Sequence, residues 1–580
     1  MARIPMWVFV AGSFLVLALA SAWLARLSFA SVRTYLDNVA PDGEVETYDG
    51  RFHGRVVRDL GRLAWLFAGL SVLSFAVRRS LSGAKGAQVK AMPEFRSGIR
   101  NTWYSLFHRS SSTHLRFVLG LIVLGSILRI LQLSAPITYD EAFTYVQYAS
   151  RPFHILLADY SYPNNHILHS LLVKLCTKLF GLHLWSLRLP ALIAGILVMP
   201  VFYVFVRVMF NRYIALIALG LVASSGALIE YSALARGYSI TWLCYVSALL
   251  LGRHFAKTNN PVSAVLMALV CAIGMWAVPT MIYAVLAIYI WLVIYLMVKY
   301  RHSLNKRFAI LGISLGLFVV FTVVFYLPVM TVHGPAQLFH HPTMGDNSWS
   351  SFLNTHQERS FDLWAYFNDT STTWVSLLGV VGLLYAAYIS TKFRNLAFAL
   401  FMGAVPLTTI QCMVGPPRVW TYTLFILHLS SAIALFYLLK FVQEKVYPAF
   451  AKRMRTAITT VIVVIGMSFL GMRGIQGRIE RFPEAELAST WFNGILHRGD
   501  RVLVDFPWEA PVEFHFMAAG LGRGPLFVEP TPGHALYVLV GPGDGQTLEL
   551  VLTHHRYEGV TEEKLEKVQD WRRLEIYSAK

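Results

Sequence analysis

The sequence predicts a polytopic α-helical membrane protein with a small α/β region at its C-terminus. Three observations predict it. Of 580 residues, 56% are hydrophobic and only 14% are charged, and the mean hydropathy is +0.52; a soluble domain carries roughly 25% charged residues. Apolar runs of about 20 residues recur, the length that crosses a hydrocarbon core about 30 Å thick. Lipid offers no partner to open backbone, so such runs must be helices. Finally, the basic residues collect on one side once the runs are threaded.

Spans are predicted at 5–25, 59–77, 115–133, 188–209, 213–230, 237–252, 262–279, 281–298, 308–329, 374–391, 395–413, 420–440 and 457–473, about 13 crossings. The first run, behind Arg3, is longer than the apolar segment of a secretion signal and predicts an uncleaved anchor. The 78–114 loop carries Arg78, Arg79, Lys85, Lys90, Arg96, Arg100 and Arg109 against Glu94 as its one acid. Arg207, Arg212, Arg253, Lys257, Lys299, Arg301, Lys306, Arg307, Lys392, Arg394, Lys445, Lys452, Arg453 and Arg455 fall on the same side, which the positive-inside rule makes cytoplasmic together with the N-terminus. The stretch 166–181 is short and carries His166, His169, Lys174 and Lys178. Reading it as spanning would invert everything after it, so it is predicted to lie at the outer interface.

Three regions then lie outside. The first is about 134–187. The second, 331–373, is polar and aromatic, with His333, His340, His341, Trp349 and Asp362. A connection of that length without evident structure is expected to be functional, as a lid is. The third begins at about 475, where charge and Gly/Pro content rise. Short strands are predicted at 501–506, 525–528 and 535–540, and helices at 484–496 and 561–571. The chain thus divides into 1–114 (two N-terminal spans and a basic linker), 115–474 (a membrane core) and 475–580 (a small α/β domain).

The net charge of +18 is accounted for by these basic loops and their attraction to anionic headgroups; nucleic-acid binding is not expected. Cys176, Cys244, Cys271 and Cys412 lie in apolar segments without metal or CxxC spacing. No Walker loop, no GxGxxG after a strand, no HExxH and no GxSxG nucleophile elbow is present, so nucleotide chemistry has no visible site.

The chemistry-bearing residues cluster at the outer face. Asp140 and Glu141 stand side by side just after the third apolar span, in Thr138-Tyr139-Asp140-Glu141. An ionisable pair beside a bilayer is a functional candidate, either as general base on a hydroxyl or as metal ligand; the plain alternative is a pair that ends a helix in water. Asn164, Asn165 and His166 follow the turn at Pro163. Their amides and imidazole suit sugar hydroxyls, or else cap the interfacial helix. Glu230, Arg236 and Tyr238 share a polar hairpin between two spans, and Arg418 sits in Gly415-Pro416-Pro417-Arg418-Val419-Trp420. Outer-face arginines run against the topology rule. With Arg129 near the outer end of the third span, they point to an anionic lipid ligand, because guanidinium binds phosphate bidentately.

The ordered set resembles the GT-C membrane glycosyltransferases. It is carried by the Arg129 to Asp140-Glu141 segment, NNHILHSLLVKLCTKLFG, LRLPALIAGILVMPVFYVFVRVMF, EYSALARGYS and PPRVW. The subgroup resembled is the protein mannosyltransferase and aminoarabinose transferase type, with its bacterial relatives that decorate lipopolysaccharide or other envelope glycans. The resemblance implies inverting transfer of a sugar from a polyprenyl-phosphate-linked donor to a hydroxyl of an envelope lipid, glycan or protein. It places the chain in the cell inner membrane with its C-terminal domain periplasmic. It implies Asp140 as general base and Glu141 orienting the acceptor or assisting a divalent metal. It further implies Arg236 and Arg418 on the leaving phosphate, Asn165 and His166 in the sugar pocket, and 331–373 as a closing loop. Two departures stand out. The family's His-Pro-Pro-Leu run is replaced by Asn165-His166-Ile167-Leu168, and the two spans before 115 are extra. A lipid or glycan transporter is the alternative, but that would need polar breaks at the midplane, where this chain is apolar.

Overall fold

The computed structural model describes residues 6–39, 48–76, 85–108, 110–300, 304–334, 348–445, 455–475, 479–527, 533–555 and 565–579. It is a helical bundle with a small C-terminal sheet. Among the described residues, each apolar run predicted to span is largely helical, and the 213–230 run falls on two helices. Among the described residues, six helices are long and apolar enough to cross a membrane alone, or up to nine if each bent pair is one span. Pro261–Ala277 is a shorter apolar helix. The Ile167–Phe180 helix has 14 residues. At 1.5 Å per residue it is about 21 Å long, too short to cross.

The bundle centre is built around Leu184–Met209, which packs on Tyr238–Thr258, Arg212–Ser224 and Gly226–Ser232. Small residues allow the close approach. A Cβ on Gly195 would lie 2.1 Å from Ser232 Oγ, so only glycine fits where these helices touch. The fifth predicted span is broken: Arg212–Ser224 and Gly226–Ser232 meet at 60°. The break frees the last carbonyls of the first piece. Arg129 meets them. Its guanidinium donates to Val222 O (3.2 Å), Ala223 O (3.0 Å), Gly125 O (2.9 Å) and Ser232 Oγ (3.2 Å) and is fully buried. This corrects the expectation that Arg129 faces a ligand, since its donors are committed to the bend. Arg129→Met leaves those acceptors unpaired and should lower stability by about 3 kcal/mol. Unfolding of the detergent-solubilised protein measures this, and an unshifted transition would contradict it.

The expectation of a structureless 331–373 connection is also corrected. Trp349–Ser371 is a helix whose N-cap Ser348 accepts from Ser351 N, and the chain turns at Thr372 (φ 69°) into Thr373–Ile389. Its polar residues alternate with aromatics at helical spacing, which composition alone did not reveal. His340 and His341 lie outside the described residues.

The C-terminal sheet has strands β1 (Arg501–Leu503), β2 (Leu536–Val540), β3 (Glu566–Asp570) and β4 (Glu575–Ala579), ordered β1-β2-β4-β3. The β1–β2 pair is parallel and the others antiparallel. Two expectations fail here. The 525–528 strand is a helical turn at Gly524–Phe527, and 566–570 is a strand. The charged β3 reads as helix in isolation but is an edge strand held by pairing to β4. Its Lys567, bridged to Glu575, guards that edge. Beneath the sheet, Phe482, Phe492, Trp508, Phe516 and Ile576 form a compact core.

This region docks on the segment that carries the acidic pair. Phe482 N donates to Ile137 O (2.9 Å), Arg481 to Pro136 O (2.9 Å) and Tyr139 Oη to Glu509 Oε1 (2.6 Å). Arg523 reaches Val146 O and Ser150 Oγ.

Candidate active site

Thr138-Tyr139-Asp140-Glu141 folds as a capping box. Thr138 Oγ1 accepts from Glu141 N (3.3 Å), and Thr138 N donates back to Glu141 Oε2 (3.1 Å). That starts the Tyr139–Thr144 helix. Neighbouring residues on a helix point about 100° apart. Asp140 and Glu141 are thereby aimed at different places.

Asp140 faces a cavity of about 240 Å³ lined by Thr138, Tyr139, Tyr231, Leu234, Arg236, Tyr238, Arg418, Ile479, Glu480 and Phe482. Its carboxylate is 34% exposed and lies 3.6 Å from Arg418 Nη1 and 3.9 Å from Arg236 Nη2. Asn164 Nδ2 donates to Oδ1 at 3.3 Å. Burial alone would raise its pKa, but Arg236, Arg418 and Asn164 outweigh burial and hold it below the usual carboxylate value. The two arginine contacts are looser than hydrogen bonds, so both cations hold Asp140 by charge and remain open to a better acceptor.

Glu141 turns away from the cavity and is fully buried. Arg188 Nε and Nη2 bind its two oxygens at 2.8 and 2.7 Å, and Ala235 N donates to Oε1 at 2.7 Å. Burial would raise its pKa, and Arg188 with these hydrogen bonds holds it below normal. Arg188 also binds Leu133 O, Ala135 O and Pro136 O. The expectation that Glu141 meets acceptor or metal is therefore corrected: every lone-pair direction is used inside the protein. The pair ties the acidic turn to Ala235, the residue before Arg236, and so spaces Asp140 from Arg236.

Arg236 is buried and donates to Thr144 Oγ1 (2.9 Å) and Asn164 O (3.2 Å). His166 Nδ1 accepts from Gly237 N at 2.9 Å. Burial and then Arg236 push its imidazole well below its ordinary pKa, so it stays neutral. A neutral ring accepting at Nδ1 carries its proton on Nε2, so the 3.4 Å approach of Arg236 Nη2 is packing, not a hydrogen bond. His166 thus supports the Arg236 turn from behind. Asn165 is also buried; it donates to Leu156 O and Asp159 O and accepts from Ser170. Neither residue lines the cavity, which corrects their placement in a sugar pocket; a buried cap uses up the groups a sugar would need. Glu230 is likewise buried and faces Arg481 at 3.9 Å, away from the cavity wall. Asn164 stands one step behind the wall, on Asp140.

Of the residues singled out in the sequence, Asp140, Arg236, Tyr238 and Arg418 line the cavity together. Tyr139, Tyr231, Glu480 and Phe482 were missed. The first two adjoin flagged residues. The last two come from a segment more than 300 residues after Asp140, and no local pattern marks them. Among the described residues, no group of three or more His, Cys, Asp or Glu gathers as metal ligands.

Residues 164–326 match the family model described as dolichyl-phosphate-mannose-protein mannosyltransferase. The structure resembles ArnT from Cupriavidus metallidurans in the apo state, with TM-score 0.54 and 13% identity over 80% of this chain and 98% of that one. Against ArnT from Cupriavidus metallidurans bound to undecaprenyl phosphate, the TM-score is 0.53 at 13% identity, covering 81% and 98%. No curated protein matches the chain. Residues 164–326 thus carry that family's sequence pattern, and the fold is of the kind seen in ArnT.

Proposed function

We propose that the protein transfers a sugar from a polyprenyl-phosphate-linked donor to a hydroxyl of an envelope lipid, glycan or protein, with inversion. The observation that carries this is one cavity holding the Asp140 carboxylate against Arg236 and Arg418. In the proposed step the donor phosphate takes over the two guanidinium groups, releasing Asp140. The acceptor oxygen bonds to the anomeric carbon from the face opposite the phosphate. The bond from that carbon to the phosphate oxygen breaks, and its electron pair leaves with the phosphate, where the arginines stabilise the growing charge. The acceptor proton passes to Asp140. Freed from two cations, Asp140 becomes a stronger base at that moment. Tyr238 and Tyr231 supply aromatic wall for the sugar ring, and Asn164 aims the carboxylate.

We place this cavity on the outer face of the cytoplasmic membrane, with the N-terminus cytoplasmic, because the basic loops lie at the opposite ends of the helices. The fold's likeness to a protein solved with undecaprenyl phosphate supports the donor class.

Arg236→Ala and Arg418→Ala should each weaken binding of a polyprenyl phosphate by about 1.5–3 kcal/mol, roughly ten- to a hundredfold. Unchanged affinity in both variants removes the phosphate clamp. The function itself is tested by mass spectrometry of envelope lipids and glycans from a deletion strain. One glycosylated product should disappear and return on complementation; an unaltered profile, together with purified protein inert towards polyprenyl-phosphate sugars, ends this reading.

A further inference from the structure

The helix Lys85–His108 lies before the membrane core, in the N-terminal part that the site does not use. It packs at the ends of the bundle remote from Asp140. Arg207, in the last turn of Leu184–Met209, donates to Ser105 O at 2.9 Å, and Asn260 donates to Ala91 O at 2.7 Å. Phe95 meets the His254 ring edge-on at 5.7 Å. Arg188 and Tyr238, at the other ends of these same helices, belong to the site. A helix of 26 residues spans about 39 Å, so Lys85–His108 is a membrane thickness away from the chemistry.

Its side chains divide into three sectors at 100° per residue. Ala91, Phe95, Gly98, Thr102, Ser105 and Leu106 face the bundle. Glu94, Ser97, Asn101 and His108 form a polar sector. Between them lie Met92, Ile99, Trp103 and Phe107, exposed by 45%, 53%, 63% and 45%, with Arg96 and Arg100 interleaved and exposed. Among the described residues neither arginine makes an ion pair. Water is a poor solvent for four large apolar side chains in one stripe, and arginines among them would repel a second copy of the same face.

We propose that this face is a docking surface for an anionic bilayer: Ile99, Trp103 and Phe107 enter the headgroup boundary, and Arg96 and Arg100 bind acidic phospholipid headgroups. The sector order fits a helix lying flat, with protein on one flank, lipid below and water above. Aromatic and arginine side chains are the residues that settle at such a boundary. The surface gives the N-terminal part a role separate from sugar transfer, and it stands whether or not the transfer reading does.

The test uses full-length protein in nanodiscs. Cys176 and Cys412 are replaced, while Cys244 and Cys271 are buried and silent. A spin label is placed by Trp103→Cys or, on the polar sector, Asn101→Cys. The label at 103 should collide with oxygen more than with an aqueous nickel chelate, and the label at 101 should do the reverse. Adding phosphatidylglycerol to phosphatidylcholine should move the 103 label deeper. Arg96→Glu with Arg100→Glu should abolish that shift and reduce selectivity for spin-labelled phosphatidylglycerol by about fivefold per arginine. Preference of the 103 label for the nickel chelate overturns the proposal. Dipolar broadening from a second copy does so too, as does equal behaviour in both bilayers.

Discussion

Asp140→Asn should lose transfer activity by about a hundred- to ten-thousandfold, the usual contribution of a positioned general base, while the protein still inserts and folds. The asparagine keeps the shape and still faces Asn164, but it cannot take a proton. Normal turnover by this variant, with lipid-linked donor and acceptor supplied, would refute the base assignment. The wild-type pH profile carries a second sign of the same group. Burial opposes the charge on Asp140, and Arg236 and Arg418 outweigh it, so its pKa is depressed. The active form is the carboxylate, present above that pKa. Activity should therefore hold through neutral pH and fall only as pH drops through a value below the ordinary one for aspartate. Removing one cation weakens the depression, so Arg418→Ala should move this acid limb to higher pH. An unmoved limb in the free enzyme would mean that the two groups do not share a field.

Glu141→Gln and Arg188→Met should each destabilise the protein by about 3–5 kcal/mol, because each leaves a buried charge without its partner. Thermal unfolding in detergent reads this directly. The double variant Glu141→Leu with Arg188→Met should recover part of the loss, since no lone charge remains. The contrast with Asp140 is diagnostic. A residue that touched the acceptor would, when made neutral, leave a stable protein with no turnover. A residue that spaces Asp140 from Arg236 through Ala235 should lower stability and activity together. A Glu141→Gln protein as stable as wild type but inactive would reverse the assignment and return Glu141 to the cavity.

The contrast between these two carboxylates shows how much could be read from the chain. Their capping-box pattern is visible in Thr138-Tyr139-Asp140-Glu141, and the helical turn it starts already separates the two side chains. What the pattern lacks is Arg188, 47 residues on, which takes Glu141 and leaves Asp140 facing the cavity. Arg129 misled for the same reason. Its position near an outer boundary looked like that of Arg236, but a break between Ser224 and Gly226 exposed carbonyls that claimed it. Asn165 and His166 look available in a linear segment and are used up by Leu156, Asp159, Ser170 and Gly237 in the folded chain.

Composition and periodicity by themselves determined the membrane class, the apolar helical segments and the end of the bundle where polar chemistry gathers. Those properties follow from solvation along the chain, which each stretch of residues settles locally. Tertiary structure alone decided which charges are free and which are spent. It also brought Glu480 and Phe482 from the C-terminal region to the cavity wall. The physical reason is that a charge or hydrogen-bonding group is assigned by its nearest partner in space, and in a bundle of this kind that partner is commonly dozens to hundreds of residues away.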